Sequence, residues 1–291
     1  MNLNKSEHRK QNYARLAQQT LTICEQGGYH NQAGEWQDLS AAITASVAAT
    51  QLYTETALQE LVSNQAGDQH TQIEVWALTT IAAARLLMQQ GEQDLLCLNF
   101  ASAKNPGGGF LGGAEAQEEN LAKASSLYPG LITQMAHYEA GRSYKSCLYR
   151  HDMIYSPAVV FFRDDTYALA DQAFMMSVIT SAAVNAGVVK RTEAQNIAQI
   201  APVMQQRAKF VLRLALARGH RNLILGAWGC GVFQNDPQMV AQIFMDLLTQ
   251  DQEFSQQFKR VIFAVPLAKR DKNYEAFFNT VKDYEEQSRA R

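Results

Sequence analysis

Residues 107–113 form the feature that most limits what this chain can fold into, because five of its 17 glycines lie there. Glycine accepts positive φ angles and lets other groups come close to the main chain, so the run predicts a tight loop with exposed N–H groups. An apolar stretch, 94–100, precedes the run, and residues of helical composition, 116–126, follow it. N–H groups in such a loop, next to a helix N-terminus, bind anions such as phosphate. The sequence therefore predicts a strand, a phosphate-binding loop and a helix, in that order.

Three adjacent polar residues follow the glycine run: Gln117, Glu118 and Glu119. A carboxyl group beside a bound diphosphate is harder to ionise, so its pKa rises toward neutrality and it can act as a general acid. The alternative is that both glutamates lie in a solvated first helical turn and only complement the helix dipole. The pair alone favours this alternative. The glycine spacing matches neither the nucleoside-triphosphate nor the dinucleotide motif.

Residues 99–119, NFASAKNPGGGFLGGAEAQEE, resemble the poly(ADP-ribose) glycohydrolases, whose signature is a three-glycine run followed at short spacing by Gln-Glu-Glu. The stretch is similar to the microbial branch of that family, whose catalytic domain is a macrodomain. Residues 155–165 and 178–183 carry further similarity, and the matching stretches together span roughly 72–266. The resemblance implies an α/β fold, a three-layer α/β/α arrangement with a mixed central sheet. One departure is Val184, where the family commonly has proline before asparagine.

The resemblance also implies a role for each residue of the motif. Glu119 is the catalytic acid, Glu118 holds the leaving ribose through its hydroxyls, and Asn105 hydrogen-bonds the distal ribose. Gln117 supports the loop. Adjacent residues do not place two carboxylates across a sugar as ordinary glycosidases do, so one glutamate serves as acid and then as base. The implied substrate-binding residues are Asn105, Gly107, Gly108, Gly109, Gln117, Gly229, Cys230, Gly231, Val232 and Phe233.

A second glycine cluster, 225–233, again follows an apolar run and leads toward a helix. Alternate glycines often mark nothing more than a tight turn. By resemblance, however, this loop wraps the diphosphate opposite the first loop, and Phe233 packs against a ribose. Trp228 lies inside the loop and could touch the ligand, although we expect all three tryptophans, Trp36 and Trp76 included, in the core or in a wall rather than as a stacking surface.

Composition narrows the class of protein. The chain has 291 residues, 47% of them hydrophobic, and a formal net charge of −2. These values are ordinary for a soluble globular protein and indicate no global attraction to nucleic acid or to an acidic membrane. We find no leader sequence and no apolar run of membrane-spanning length, so we expect residence in the cytoplasm and no membrane contact.

Cysteine and histidine spacing indicates no metal chemistry. The four cysteines are far apart without a C-x-x-C pair, so we expect reduced thiols. The six histidines show no H-E-x-x-H spacing. We expect no metal, no cofactor and a monomer. The expected partners are poly(ADP-ribose) or ADP-ribosylated macromolecules, with ADP-ribose as product.

Hydrophobic periodicity divides the chain at residue 68, into a helical N-terminal segment (1–68) packed on a macrodomain-like catalytic domain (69–291). Residues 6–26 are predicted to be a helix that Gly27 and Gly28 end. The later segments are predicted as strands at 73–78, 95–100, 158–162, 178–184, 223–227 and 261–265, and as helices from Thr79 or Thr80 to Gly91, at 193–218 and at 237–249.

Three functions fit the sequence. The leading one is hydrolysis of ribose–ribose O-glycosidic bonds in poly(ADP-ribose). The second is hydrolysis of another ADP-ribosyl substrate, such as mono-ADP-ribosylated protein or nucleic acid. The third is binding of ADP-ribose without chemistry, against which the intact glutamate pair argues.

Overall fold

The structure is a computed structural model, and it describes residues 2–62, 70–267 and 272–289. Residues 2–5 and 288–289 are described by their backbone alone. The predicted boundary between residues 68 and 69 lies outside the described residues and stays a prediction.

The described residues form eleven α-helices and nine β-strands. The helices are α1 (Asn2–Gln26), α2 (Ser40–Ala49), α3 (Glu55–Glu60), α4 (Thr80–Gln89), α5 (Gln117–Ala124), α6 (Leu127–Ile132), α7 (Met135–Ser143), α8 (Ala186–Thr192), α9 (Ile200–Ala217), α10 (Pro237–Thr249) and α11 (Lys272–Arg289). The strands are β1 (Gly28–His30), β2 (Trp36–Asp38), β3 (Gln51–Tyr53), β4 (Gln72–Trp76), β5 (Leu95–Phe100), β6 (Met153–Arg163), β7 (Leu169–Ser181), β8 (Asn222–Leu225) and β9 (Arg260–Ala264). No helix in these ranges is both long enough and apolar enough to cross a bilayer.

Seven strands form one mixed sheet in the order β3-β6-β7-β5-β8-β9-β4. Strands β5, β8, β9 and β4 are parallel, with Leu223 opposite both Leu96 and Val261. Strands β6 and β7 are antiparallel, with Tyr155 opposite Ile179. The near-complete burial of β5, β8 and β9 is typical of parallel strands covered on both faces. The predicted α/β fold with a mixed sheet between helices is confirmed.

One compact unit comprises Met1–Leu52, Asn99–Arg142 and Met153–Thr180. In it α1 packs on the loop that follows β5, through a cluster that includes Ala17, Phe110 and Ala122. A β-carbon at Gly113 would overlap the carbonyl oxygen of Lys10, so this glycine lets the loop touch the backbone of α1. The N-terminal helix therefore supports the first glycine loop.

The other compact unit comprises the described residues of Tyr53–Leu98, Ser143–Asp152 and Ser181–Arg291. Its core contains a chain of aromatic contacts, with ring centroids 6.3 Å apart between Trp228 and Phe244, and 5.9 Å apart between Phe244 and Phe263. Both phenylalanines are fully buried. These contacts fix α10 on β9 and thereby position the loop between β8 and α10.

Several predicted helix ends are confirmed. Helix α1 ends at Gln26, and Gly27 follows with a φ of 73°. The hydroxyl of Thr79 accepts a hydrogen bond from Ala82 N at 3.2 Å and caps α4, as a threonine at this position does. Helix α10 has the predicted bounds because Asp236 caps it and Pro237 supplies a first residue that needs no hydrogen-bond partner.

The structure differs from the sequence prediction in three places. Residues 193–218 are not one helix, because a 3-10 segment, Ala194–Gln199, precedes α9. The Glu193 carboxylate accepts hydrogen bonds from Cys147 N at 2.7 Å and from Ser146 Oγ at 2.5 Å, and these contacts hold residue 193 outside the helix. Strands β6 and β7 begin earlier than predicted. The N-terminal segment, predicted to be helical, also contains β1 to β3, whose three residues each are too few to show an alternating pattern.

Candidate active site

The loop between β5 and α5 turns on glycines in the left-handed region. Gly107 has a φ of 68° and Gly108 a φ of 62°, angles that side chains other than glycine rarely adopt. Gly108 N donates to the carbonyl of Asn105 at 3.1 Å, and Phe110 N donates to that of Gly107 at 3.3 Å. The side chain of Asn105 is exposed. The run thus forms the tight loop that its composition predicts.

The N–H groups of this loop donate hydrogen bonds to carbonyl groups of the loop itself and to the carboxyl groups of the two glutamates. Gly109 N donates to Glu119 Oε1 at 2.9 Å, and Gly107 N donates to the Glu118 carboxyl group. Gly108 N is bonded to a loop carbonyl. In this conformation the glycine amides position the two carboxyl groups, and phosphate binding by the same run stays a prediction.

Glu118 is the buried member of the pair, with 3% of its surface exposed. Its Oε2 accepts a hydrogen bond from Ser102 N at 2.7 Å, and its Oε1 accepts one from Asn99 Nδ2 at 3.3 Å. Asn99 Nδ2 also donates to Thr180 Oγ1 at 3.2 Å. Burial raises the pKa of Glu118 to about 8, and the charge of Glu119 adds to this effect while the hydrogen bonds oppose it. A neutral Glu118 at pH 7 follows.

Glu119 is half-buried and lies directly under Gly108. A β-carbon built on Gly108 would overlap Glu119 Oε1 and would lie 2.9 Å from Glu118 Oε2. Both carboxyl groups therefore meet the same stretch of backbone, and only a glycine at residue 108 leaves room for them. The alternative that both glutamates lie in a solvated helical turn and only complement the helix dipole does not describe this geometry.

Gln117 connects the start of α5 to the end of β5. Its Oε1 accepts a hydrogen bond from Phe100 N at 2.8 Å. Its expected role in supporting the loop agrees with this contact. Because Gln117 fixes the first residue of α5, it also fixes the direction in which the two following carboxyl groups point.

Lys123 lies one helical turn after Glu119 and is fully buried. Its ammonium group lies 4.0 Å from the ring centroid of Tyr13 and 4.7 Å from that of Tyr167, and it donates to the carbonyl of Ala114 at 3.3 Å. Burial lowers the pKa of Lys123 to about 8, although the charges of Glu115 and Glu119 favour its protonated form. A buried cation thus lies on the same helix face as Glu119.

The second glycine loop, between β8 and α10, is held by Asn235. Asn235 Nδ2 donates to the carbonyls of Val184 at 2.7 Å and Gly229 at 3.1 Å. Gly229 has a φ of 73°, and a β-carbon there would overlap that of Ala183. Gly231, in contrast, has no atom within 4 Å of such a β-carbon. Packing against Ala183 therefore requires a glycine at residue 229, whereas Gly231 leaves open space beside the main chain.

Two side chains lie at the tip of this loop: Val232 is exposed to solvent, and Phe233 packs against a neighbouring ring. Val232 is 83% exposed. The ring of Phe233 lies beside that of Tyr149, with centroids 6.0 Å apart. Tyr149 is held in turn by the buried Arg207, whose Nη2 donates to its carbonyl at 3.1 Å. This support orients Phe233, whose predicted contact with a ribose stays a prediction.

Two further residues of the second loop face inward. Trp228 is fully buried and its Nε1 donates to the carbonyl of Ser181 at 3.1 Å, so it belongs to the core. Burial raises the pKa of the Cys230 thiol to about 12, which keeps it neutral. Trp36 is 47% exposed on a two-stranded hairpin, so it lies outside the core and lines the wall of a groove.

The predicted site residues thus fall into two groups, each described by itself. The first loop brings together Asn105, Gly107, Gly108, Gly109, Gln117, Glu118 and Glu119. The second brings together Gly229, Cys230, Gly231, Val232 and Phe233 and belongs to the other compact unit. Within the described ranges, no group of three His, Cys, Asp or Glu side chains is arranged to bind a metal ion.

Sequence reasoning missed Asn99 and Ser102, which donate to the Glu118 carboxyl group, and Lys123, the buried cation one helical turn after Glu119. One signal was available for Asn99, which is a polar residue inside the apolar strand β5. Ser102 acts through its backbone N–H, for which no sequence signal exists.

Comparison with known proteins agrees with this geometry. The family model of the microbial-type PARG catalytic domain matches residues 17–164. Among curated proteins, none matches the chain. The solved structure of poly(ADP-ribose) glycohydrolase from Thermomonospora curvata is 37% identical, with a TM-score of 0.89 over 93% of this chain and 99% of that one.

Ligand-bound structures are similar as well. The Thermomonospora curvata enzyme bound to the inhibitor ADP-HPD is 38% identical, with a TM-score of 0.86 over 92% of this chain and 98% of that one. Poly(ADP-ribose) glycohydrolase from Deinococcus radiodurans in complex with ADP-ribose is 38% identical, with a TM-score of 0.77 over 83% of this chain and 97% of that one. Identity at this level, over nearly the whole length of these relatives, shows that the chain belongs to the microbial-type poly(ADP-ribose) glycohydrolase family.

Proposed function

We propose that this chain hydrolyses the ribose–ribose O-glycosidic bonds of poly(ADP-ribose) and releases ADP-ribose. The observation that carries the proposal is the pair of carboxyl groups, Glu118 and Glu119, pressed against the backbone of Gly108 at the start of α5. Family membership supplies the substrate: the relatives are poly(ADP-ribose) glycohydrolases, and one of them is in complex with ADP-ribose.

Substrate binding is assigned by the family motif. The glycines of the first loop, Gly107–Gly109, contact the diphosphate, and Asn105 hydrogen-bonds the distal ribose. From the second loop, Gly229–Gly231 contact the diphosphate and Phe233 packs on a ribose. Two features support this assignment: the exposed side chain of Asn105 and the open space beside Gly231.

Glu119 acts as the general acid and then as the general base. In the first step Glu119, protonated once the substrate's diphosphate is bound beside it, gives its proton to the 2′-oxygen of the leaving ribose while the bond from that oxygen to the anomeric carbon breaks. A water then attacks the anomeric carbon, and its proton goes to the Glu119 carboxylate. The hydrogen bond from Gly109 N to Oε1 fixes the carboxyl group in one orientation, which supports such a role.

Glu118 contributes position rather than a second charge. With its pKa raised to about 8 by burial, it is neutral at pH 7. A neutral carboxyl group can donate a hydrogen bond to a hydroxyl of the leaving ribose while it still accepts one from Ser102 N. This division of roles fits two adjacent residues of which one is buried and one half-buried.

The test is incubation of the full chain with poly(ADP-ribose) and, separately, with mono-ADP-ribosylated protein, followed by chromatography of the products. We expect free ADP-ribose from the polymer. Release from the mono-ADP-ribosylated protein alone would move the assignment to the second substrate class. If the chain binds ADP-ribose but releases none from either substrate, it is a non-catalytic ADP-ribose-binding protein and the proposal is rejected.

A further inference from the structure

A groove outside the glycine loops lies between α1 and the β1–β2 hairpin. Its volume is about 430 Å³, within the range of small-molecule sites. The lining residues that matter here are Arg15, Gln18 and Gln19 from α1, His30 and Trp36 from the hairpin, and Arg163 from the end of β6. We call these six residues and the space between them the hairpin groove. All of them belong to one compact unit.

Trp36 gives the hairpin groove a fixed aromatic surface. Its ring lies on the backbone of Gly28: a β-carbon there would be 2.6 Å from Cζ2 and 2.9 Å from Cε2. The ring of His30 meets it edge-on, with centroids 5.1 Å apart. With 47% of its surface exposed, the indole is held by its neighbours and still accessible. Such a ring can stack a nucleobase.

The charges in the hairpin groove favour an anion. Arg15 is exposed, and Arg163 is buried with its Nη1 donating to the carbonyl of Tyr167 at 2.8 Å. Arg15 forms no ion pair with an acidic side chain in the described ranges, and no Asp or Glu in those ranges lines the groove, although the charge of Asp164 acts on Arg163. The exposed guanidinium group of Arg15 therefore keeps its charge available for a phosphate, which arginine binds well.

A second cavity in the molecule has a different lining. It has a volume of about 480 Å³ and lies beside β4, α10 and α11. Glu74 and Glu285 line it, and no arginine or lysine among the described residues does. An anionic ligand would be repelled there, whereas the hairpin groove offers the exposed cation of Arg15, an aromatic face and the amide groups of Gln18 and Gln19 for the edge of a base.

We propose that the hairpin groove is a second nucleotide-binding site, which takes one adenosine-phosphate unit of a poly(ADP-ribose) chain. The base stacks on Trp36, a glutamine amide meets its edge, and Arg15 binds the phosphate. The choice of the polymer rests on the proposed function, whereas binding of an adenine nucleotide does not. A long substrate held at such a site would stay attached between successive cleavages.

The first experiment is calorimetric titration of AMP into the full chain and four variants. Trp36→Ala removes the stacking surface, and Arg15→Glu reverses the charge at an exposed position of α1. Phe278→Ala is the matched control for Trp36, because Phe278 is also 47% exposed and lies on α11. Lys190→Glu, at an exposed position of α8, is the matched control for the change in charge.

We expect Trp36→Ala and Arg15→Glu each to weaken AMP binding by about tenfold or more, and the two controls to bind like the wild type. Thermal unfolding of each variant checks that it is folded, and the exposed position of Arg15 keeps the test valid if Trp36→Ala unfolds. Absence of AMP binding by the wild type at millimolar concentration, or equal binding by wild type and both groove variants, would overturn the proposal.

A second measurement tests the polymer as the ligand. The ratio of KM for long poly(ADP-ribose) to KM for a substrate with a single ADP-ribosyl unit should rise about tenfold in Arg15→Glu and Trp36→Ala. An unchanged ratio rejects the polymer as the ligand. Failure of the proposed function would look different, because the chain would then release no ADP-ribose while AMP binding still depended on Trp36.

Discussion

The α-carbon of Gly108 lies so close to the carboxyl group of Glu119 that a β-carbon on it would overlap Oε1. The glycine in the middle of the run is therefore a packing requirement of the glutamates, in addition to its φ of 62°. This links the two halves of the family motif: the loop needs its glycine because the helix after it carries carboxyl groups.

Replacing Gly108 with valine should reduce turnover at least about a hundredfold, because the new side chain must displace both carboxyl groups. We expect a loss of stability of about 1–3 kcal/mol as well, from the left-handed φ angle. Gly112→Ala in the same loop is the control, since no atom lies within 4 Å of a β-carbon there. Steady-state kinetics and thermal unfolding of both variants measure the effects. Wild-type turnover in Gly108→Val would show that the carboxyl groups do not depend on this contact.

Glu119→Gln should keep the affinity for ADP-ribose and reduce turnover by about 10²–10⁴-fold, because the amide can still accept the hydrogen bond from Gly109 N but cannot donate and retrieve a proton. Single-turnover kinetics and calorimetry separate the two quantities. Glu139→Gln, an exposed glutamate of α7, is the control. Retained hydrolysis in Glu119→Gln would move the acid/base role to another residue.

Glu118 should make the stability of the protein depend on pH. Burial raises its folded-state pKa from 4.5 to about 8, so between these values the unfolded chain releases a proton that the folded chain keeps. The wild type should therefore lose stability as pH rises from about 4.5 to 8, on the order of a few kcal/mol in total.

Glu118→Gln should remove this loss, because glutamine has the shape of the neutral acid. Its amide can donate to Asn99 Oδ1, which accepts no hydrogen bond from any residue that the structure describes, once the Asn99 amide turns over. Denaturant unfolding at pH 5 and pH 8 measures the difference between wild type and variant. Equal pH dependence of the two proteins would contradict the raised pKa of Glu118.

Local signals in the sequence were sufficient to predict the elements that bear the site. The glycine run after an apolar strand predicted the first loop, and the helix predicted at 237–249 has the observed bounds of α10. These predictions succeeded because a left-handed φ and a helix cap depend on residues within a few positions of one another.

Burial of one glutamate rather than its neighbour could not be predicted in this way. It depends on the rotation of α5 about its axis, which is fixed by contacts with distant parts of the chain: Phe100 N for Gln117, Thr180 through Asn99, and Tyr13 and Tyr167 around Lys123. A sequence pattern places both glutamates on the helix but does not show which one faces the sheet.

Lys123 should produce the opposite pH dependence at alkaline pH. Burial lowers its folded-state pKa from 10.5 to about 8, so between these values the folded chain has released a proton that the unfolded chain still binds. Stability of the wild type relative to Lys123→Met should therefore rise with pH from about 8 to 10.5. Urea unfolding at pH 8 and pH 10 measures this difference in stability. Lys190→Met, at an exposed position of α8, is the control. A constant difference between wild type and Lys123→Met over this range would reject the prediction.

Gly229 and Gly231 of the second loop should act in different ways when alanine replaces them. Gly229→Ala places a β-carbon against that of Ala183 at a φ of 73°, so it should lower the free energy of unfolding by about 2–4 kcal/mol. Gly231→Ala meets no atom within 4 Å and should leave stability unchanged. If the diphosphate approaches this backbone, however, the added methyl group should weaken ADP-ribose binding about tenfold. Thermal unfolding and calorimetry on both variants separate the effects, and unaltered affinity in Gly231→Ala would mean that the ligand does not come close to this loop.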